Sequence, residues 1–254
     1  MKPIISFVIR YIPRPILQKV SPLVMKFFTQ LNKGTDVNCP VCNHSYKKFL
    51  PYGRVARENA LCPNCLALER HRLMWLFLQN KTNFFSAPLK VLHIAPEHCF
   101  INRFEALPNL EYITGDIESP LAKVKMDVHQ IPFEDNSIDV VFCNHVMEHV
   151  KDDIKACSEI NRVLKNEGWG IIQSPVYDLP ETIEDAGITD PAERERVFGQ
   201  RDHVRKYGND YAIRLRKSGL VIEENNYVKE LSEGIIKKNA LPEKEIIFVC
   251  KKGH

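Results

Sequence analysis

Residues 138–143 read IDVVFC, a run of mostly β-branched and aromatic side chains too short for an ordinary helix. Such a run folds as a strand covered on both faces, the situation inside a parallel sheet. Polar Asn144, His145, Glu148 and His149 follow at once. Ligands of open α/β sheets sit at the carboxyl ends of the strands, so this stretch sets both the fold class and the place where chemistry is to be sought. Two more buried runs precede it, KVLHIA at 90–95 and EYITG at 111–115, the second ending at Asp116. The pattern predicts strand 90–95, helix 97–107, strand 110–115, a short strand near 124–127, strand 138–143, helix 151–165 and strand 169–174. An irregular stretch to 202, helix 203–217, and strands near 220–228 and 245–251 complete it. This alternation implies a parallel sheet with right-handed crossovers. The link 116–123 is short for a crossover helix.

Upstream, Cys39 and Cys42 (CPVC) and Cys62 and Cys65 (CPNC) stand nineteen residues apart. Paired C-x2-C turns at this spacing present four thiolates to one Zn2+, with a short β-ribbon bringing the pairs together. Four ligands close the coordination shell, so the metal is expected to be structural. The following ALERHRLMWLFLQNK reads as a helix, apolar in its second half, that docks the ribbon. Its Glu69-Arg70-His71-Arg72 turn is either solvated or able to grip an anion.

Residues 1–33 carry six basic side chains and no acidic one, with Ser21, Pro22 and Gly34 as helix punctuation. This arm is expected to pack on its own domain or on a second subunit; the alternative is peripheral contact with an anionic membrane on its inner face. Three segments follow: the arm at 1–36, ribbon and docking helix at 37–85, sheet domain at 86–254. The 254 residues suffice for this, and a net charge of +3 is too small to argue for nucleic acid. Paired metal-ligand spacing in half of the eight cysteines, with no signal peptide, points to a cytoplasmic protein.

The turn after the first strand, His93-Ile94-Ala95-Pro96-Glu97-His98, has no glycine, and Glu97 would repel phosphate. A dinucleotide is therefore disfavoured. Asp116 ends the second strand about twenty residues on, and Asp127 stands in MDVHQIPF, ahead of IPFEDNSIDVV and RVLKNEGWGIIQSP. The order and content of these pieces resemble the class I S-adenosylmethionine (SAM) dependent methyltransferases, of the type 11-like kind, over roughly 89–251. The resemblance implies a Rossmann-like, seven-stranded sheet with an antiparallel edge. It implies SAM as cofactor, with Asp116 at the ribose, Asp127 and the Val128 backbone at the adenine, Asn144 near the methyl group and Ile117 among the further cofactor contacts. His93, Ala95 and Glu97 stand where the family has an acidic residue and a spaced glycine pair, and Glu97 can supply the carboxylate to the cofactor's ammonium.

His145-Val146-Met147-Glu148-His149 also matches H-x-x-E-H, the signature of an inverted zinc peptidase. That chemistry needs a long helix, whereas here the motif follows directly on a strand. The bases expected to serve methyl transfer are His145, His149 and His203, the last in FGQRDHVRKYGNDY, where the family builds its acceptor-facing lid. The expected acceptor is a small molecule or glycan. The alternatives are RNA, gripped by the ribbon with Arg70 and Arg72, and a non-catalytic interaction protein on the same fold.

Overall fold

The computed structural model describes residues 29–53 and 55–253. Most of the basic arm thus lies outside the described residues. In chain order the elements are β1 (Lys33–Cys39), β2 (His44–Tyr46), β3 (Leu50–Tyr52), β4 (Arg57–Leu61), α1 (Glu69–Lys81), β5 (Leu89–Ile94), α2 (His98–Glu105), β6 (Leu110–Asp116), β7 (Val124–Lys125) and β8 (Ile138–Asn144). Then come α3 (Asp153–Val163), β9 (Leu164–Gln173), β10 (Ile183–Glu184), α4 (Pro191–Phe198), β11 (Arg205–Lys206), α5 (Tyr211–Arg216), β12 (Val221–Asn225), α6 (Glu233–Asn239) and β13 (Ile247–Lys251). They cluster into two units: one of residues up to Phe77 with Leu231–Glu243, the other Leu78–Glu230 with 244–254.

In the first unit, β1 pairs with β2 and β3 with β4, both antiparallel. Helix α6, which sequence reasoning left unassigned, packs on β1 although it lies in the chain between two strands of the other unit. Ser232 starts it by accepting a hydrogen bond from the Ile235 amide.

The second unit is a seven-stranded sheet in the order β12-β13-β9-β8-β5-β6-β7. The five strands from β9 to β7 are parallel, and β13 and β12 close the far edge antiparallel. Strand β8 sits at the centre because every residue but Asp139 is buried. Val141 and Cys143 face a core with Ile160, Ile172, Leu215 and Phe248. Phe142 faces away, into an aromatic cluster with Phe84, Phe104 and Trp169. No helix fills 116–123.

Two expectations change. The stretch before 202 holds α4, capped by Asp190, begun by Pro191 and ended by Gly199 at φ +94°. The helix expected at 203–217 begins only at Tyr211, because Arg205 and Lys206 pair as a strand with Glu184 and Ile183. Gly208 passes so close to Glu181 that an added Cβ would lie 2.5 Å from its carbonyl carbon, a crossing only glycine permits.

Candidate functional site at the carboxyl ends of the parallel strands

Each strand end delivers one part of the site. At β5 the chain turns through Ala95, held at φ +49°, where its amide bonds to the Gly115 carbonyl (2.8 Å). A left-handed alanine is strained, and this is the position at which the resembled family carries glycine. Two residues on, Glu97 reaches back: one carboxylate oxygen lies 2.5 Å from His93 Nε2, the other accepts from Asn144 Nδ2 (3.0 Å). His93 is fully buried, with Nδ1 2.7 Å from the Tyr112 hydroxyl. It therefore orients Glu97 from beneath and is not itself a wall of the site. Glu97 thus ties the end of β5 to Asn144 at the end of β8.

Asp116 ends β6 and Asp127 follows β7. The Asp116 carbonyl accepts from the Met126 amide (3.0 Å), so the two carboxylates are carried on adjoining backbone. Asp116 Oδ1 accepts from the Glu118 and Ser119 amides, and Asp127 Oδ1 from the His129 amide and ring. The His129 amide and ring hold the Asp127 carboxyl below the ordinary range. In both aspartates the second oxygen has no hydrogen-bond partner among the described residues. Ile117, beside them, is 56% exposed, an apolar surface at the edge of this row, while the Val128 side chain is buried.

The third part follows β8. His145 sits at φ +56° with its amide on the Gln173 carbonyl, and residues 145–151 form turns, not a helix. Arg205 is the reason: its buried guanidinium takes the carbonyls of Met147, Val150 and Lys151 (2.6, 2.6 and 3.0 Å), which a continuing helix would need. Expected in an acceptor-facing lid, Arg205 is instead a buried brace. With no helix, the peptidase geometry of H-x-x-E-H is absent.

The turn nevertheless gathers the three expected histidines. Glu148, 2% exposed, accepts from Ser174 Oγ (2.8 Å) and lies 3.2 Å from His145 Nδ1. Burial alone would raise its carboxyl, but the His145 and Ser174 contacts prevail and hold it lowered. His203, 1% exposed, stands edge-to-face with His149 at 4.7 Å between ring centroids. Burial, then the neighbouring His149, pushes its pKa down.

In the first unit, the sulfurs of Cys39 and Cys65 lie 3.6 Å apart and those of Cys42 and Cys62 3.7 Å apart. Four thiolates about 2.3 Å from one zinc stand about 3.8 Å from each other. The cluster therefore fits a tetrahedral ion and is far too open for disulfides. The two C-x2-C turns repeat one design. The residue after each pair, Asn43 or Leu66, has positive φ and returns its amide to the carbonyl of the pair's first cysteine (2.8 and 3.0 Å). Arg72, expected in an exposed or anion-gripping turn, is fully buried behind the cluster and grips five backbone carbonyls. It has no donor to offer a phosphate.

Residues 98–172 match the family described as "Methyltransferase domain", beginning just past the altered Ala95–Glu97 turn. An uncharacterized protein of Methanocaldococcus jannaschii is 46% identical over 50 residues, 20% of this chain and 22% of that protein. The chain matches only about a fifth of the length of its curated relatives. Among solved structures, the [4+2]-cyclase SpnF is 12% identical, with a TM-score of 0.51 over 94% of this chain and 95% of that one. An O-methyltransferase from a Brevibacillus brevis polyketide synthase, in complex with S-adenosyl-L-homocysteine, is 17% identical, with a TM-score of 0.48 over 71% and 72%. Residues 98–172 and the seven-stranded sheet that contains them are thus similar to a methyltransferase domain.

Proposed function

We propose that the row of strand ends seats SAM and that the turn after β8 receives a hydroxyl-bearing small molecule or glycan. Asp116 then accepts both ribose hydroxyls, Asp127 the adenine amino group, and Glu97 the cofactor's ammonium, with Ile117 against the adenine. The observation that carries this reading is the backbone bond between Asp116 and Met126, which brings together two carboxylates whose outer oxygens lack partners.

Transfer is an in-line displacement. The acceptor oxygen forms a bond to the methyl carbon as the carbon–sulfur bond breaks, and that electron pair stays on sulfur, leaving neutral S-adenosylhomocysteine. The acceptor's proton leaves toward the wall of His145, His149 and His203. The protein's share of the work is alignment and exclusion of water. The four cysteines hold one structural Zn2+, and eight cysteines with no disulfide among them suit a reducing cytoplasm. Among the described residues no helix is long and apolar enough to cross a membrane. The arm that would make any peripheral contact lies almost wholly outside them.

Titration calorimetry with SAM tests the cofactor reading. Losing a hydrogen bond to a charged group costs about 1.5–3 kcal/mol, so Asp116→Asn should weaken SAM roughly 10- to 150-fold. Unaltered binding in Asp116→Asn, or none in the wild type, would overturn it.

A further inference from the structure

We propose that Glu148, His149 and His203 form a second metal site, for a divalent first-row cation of the zinc class, beside the cofactor edge. Their ligand atoms all lie within 4.8 Å of one another, against up to about 4.2 Å for two ligands on one such cation. The three come from separate places, the turn after β8 and the segment before β11. The bond from the Val204 amide to the Glu148 carbonyl (2.9 Å) fastens these together.

Two observations point to a ligand. His203 is almost wholly buried, and its Nε2 has no hydrogen-bond partner. Leaving such a nitrogen unsatisfied costs about 1–3 kcal/mol unless something binds it. His149 Nδ1 lies 3.3 Å from the Asp202 carboxylate. An acceptor on one ring nitrogen fixes the tautomer of a histidine that binds metal through the other. Glu148 supplies the anionic ligand, itself oriented by Ser174.

Two histidines and one carboxylate leave a coordination position open, unlike the closed four-cysteine site. His149 is exposed, so that position opens outward. An oxygen ligand suits it, which selects acceptors bearing a hydroxyl, whose proton the cation would make easier to remove, with His145 rather than the metal-bound His149 and His203 left to receive it. That role, unlike the site itself, rests on the methyl-transfer reading.

The test counts metal on the full chain after loading with Zn2+ and dialysis, by mass spectrometry, with SAM calorimetry on the same samples. The wild type should hold one equivalent more than His203→Ala or His149→Ala, the latter at an exposed position that spares the fold. Asp202→Asn should keep the site but weaken it roughly 10- to 100-fold. Equal metal in wild type and both variants, or only the ribbon's equivalent in the wild type, overturns the proposal. A metal count that falls as expected while SAM fails to bind anywhere supports the site and removes its acceptor role.

Discussion

Arg72 offers the sharpest energetic test of the first unit. Its guanidinium is fully buried and donates to the carbonyls of Asn239 (2.7 Å), Ala60 (2.8 Å), Ala67 (3.0 Å), Asn59 (3.1 Å) and Ala240 (2.7 Å), while its charged carbon stands 4.2 Å above the Phe49 ring. Five hydrogen bonds from a charged donor at about 1.5–3 kcal/mol each would sum to well over 7 kcal/mol. Much of that is offset, since removing the group also removes its desolvation cost, and Ala67 O keeps the Cys62 amide. Breaking a buried charged network by losing one partner costs about 3–5 kcal/mol, and that is the magnitude expected for Arg72→Met. The charge matters too. Burial lowers the pKa of this guanidinium, and Cys39, Glu69, Cys62 and Cys65 oppose that shift; with the proposed Zn2+ bound, the four thiolates would present it two net negative charges. Arg72→Lys retains the charge but has three donors on a point, so it should recover only part of the loss. Urea unfolding followed by zinc release to a chelating dye reads this unit directly. With a slope of about 1–3 kcal/mol/M, the Met variant should release its metal at least ~1 M urea earlier. A shift of less than ~0.3 M would refute the argument that these five contacts hold the ribbon to α6.

Three further outcomes follow from other elements. Ala95→Gly removes the strain of a left-handed alanine and should stabilise the second unit by about 1 kcal/mol, read as a raised melting temperature with SAM affinity retained; a destabilised variant would show that the turn is not strained. Glu159 accepts from the Ile131 amide and from Arg162, which in turn donates to the Ile131 and Phe133 carbonyls, so the pair pins the loop that follows Asp127. Arg162 first, then the Ile131 amide, lower the Glu159 carboxyl to about 2. A depressed carboxyl stabilises above its ordinary pKa of 4.5 and loses that contribution as pH falls toward 2. Glu159→Gln should therefore be less stable than wild type by up to roughly 3 kcal/mol near neutrality, a gap that closes in acid; an equal gap at pH 7 and pH 3 counts against the assignment. Chelation should unfold the first unit, seen as proteolysis confined to residues before Leu78 and to Leu231–Glu243, and an unchanged digestion pattern after metal removal would argue against a structural zinc.

The sheet was legible because most of its parallel strands are short, largely buried apolar runs followed by polar residues. The cysteine cluster was legible for a different reason: spacing alone fixes four sulfurs near one point. Short elements held by tertiary contacts were not. Helix α6 has one clear start signal and no apolar face of its own, and its place beside β1 depends on Arg72, some 160 residues earlier in the chain. The start of α5 lies later than 203 although Gly208, Asn209 and Asp210 are turn formers that signal it, while the backbone crossing at Gly208 and the pairing of Arg205 lie in partners sequence periodicity does not see. By contrast, α4 carried its own cap, proline and terminal glycine, and its signals were present to be read.

The altered turn after β5 illustrates what separates a residue type from a function. In sequence, the loss of an acidic residue at 93 and of two glycines at 95 and 97 reads as a damaged cofactor loop. In space, the carboxylate has moved four residues along the chain and returned to the same strand end, with His93 holding it from below and Asn144 from the side. The backbone has kept the left-handed bend that glycine would have provided and accepts the strain of alanine. On the SAM reading proposed above, a carboxylate at 97 and a left-handed bend at 95 would together suit an ammonium-bearing ligand. Glu97→Gln separates these cases. It preserves the hydrogen-bonding shape toward Asn144 while removing the charge, so it should weaken SAM by about the tenfold or more of a lost charged contact and leave the melting temperature of the unliganded protein nearly unchanged. If instead the unliganded protein loses stability and SAM affinity holds, Glu97 is a brace for β5 and β8, and the cofactor's ammonium must find its partner elsewhere.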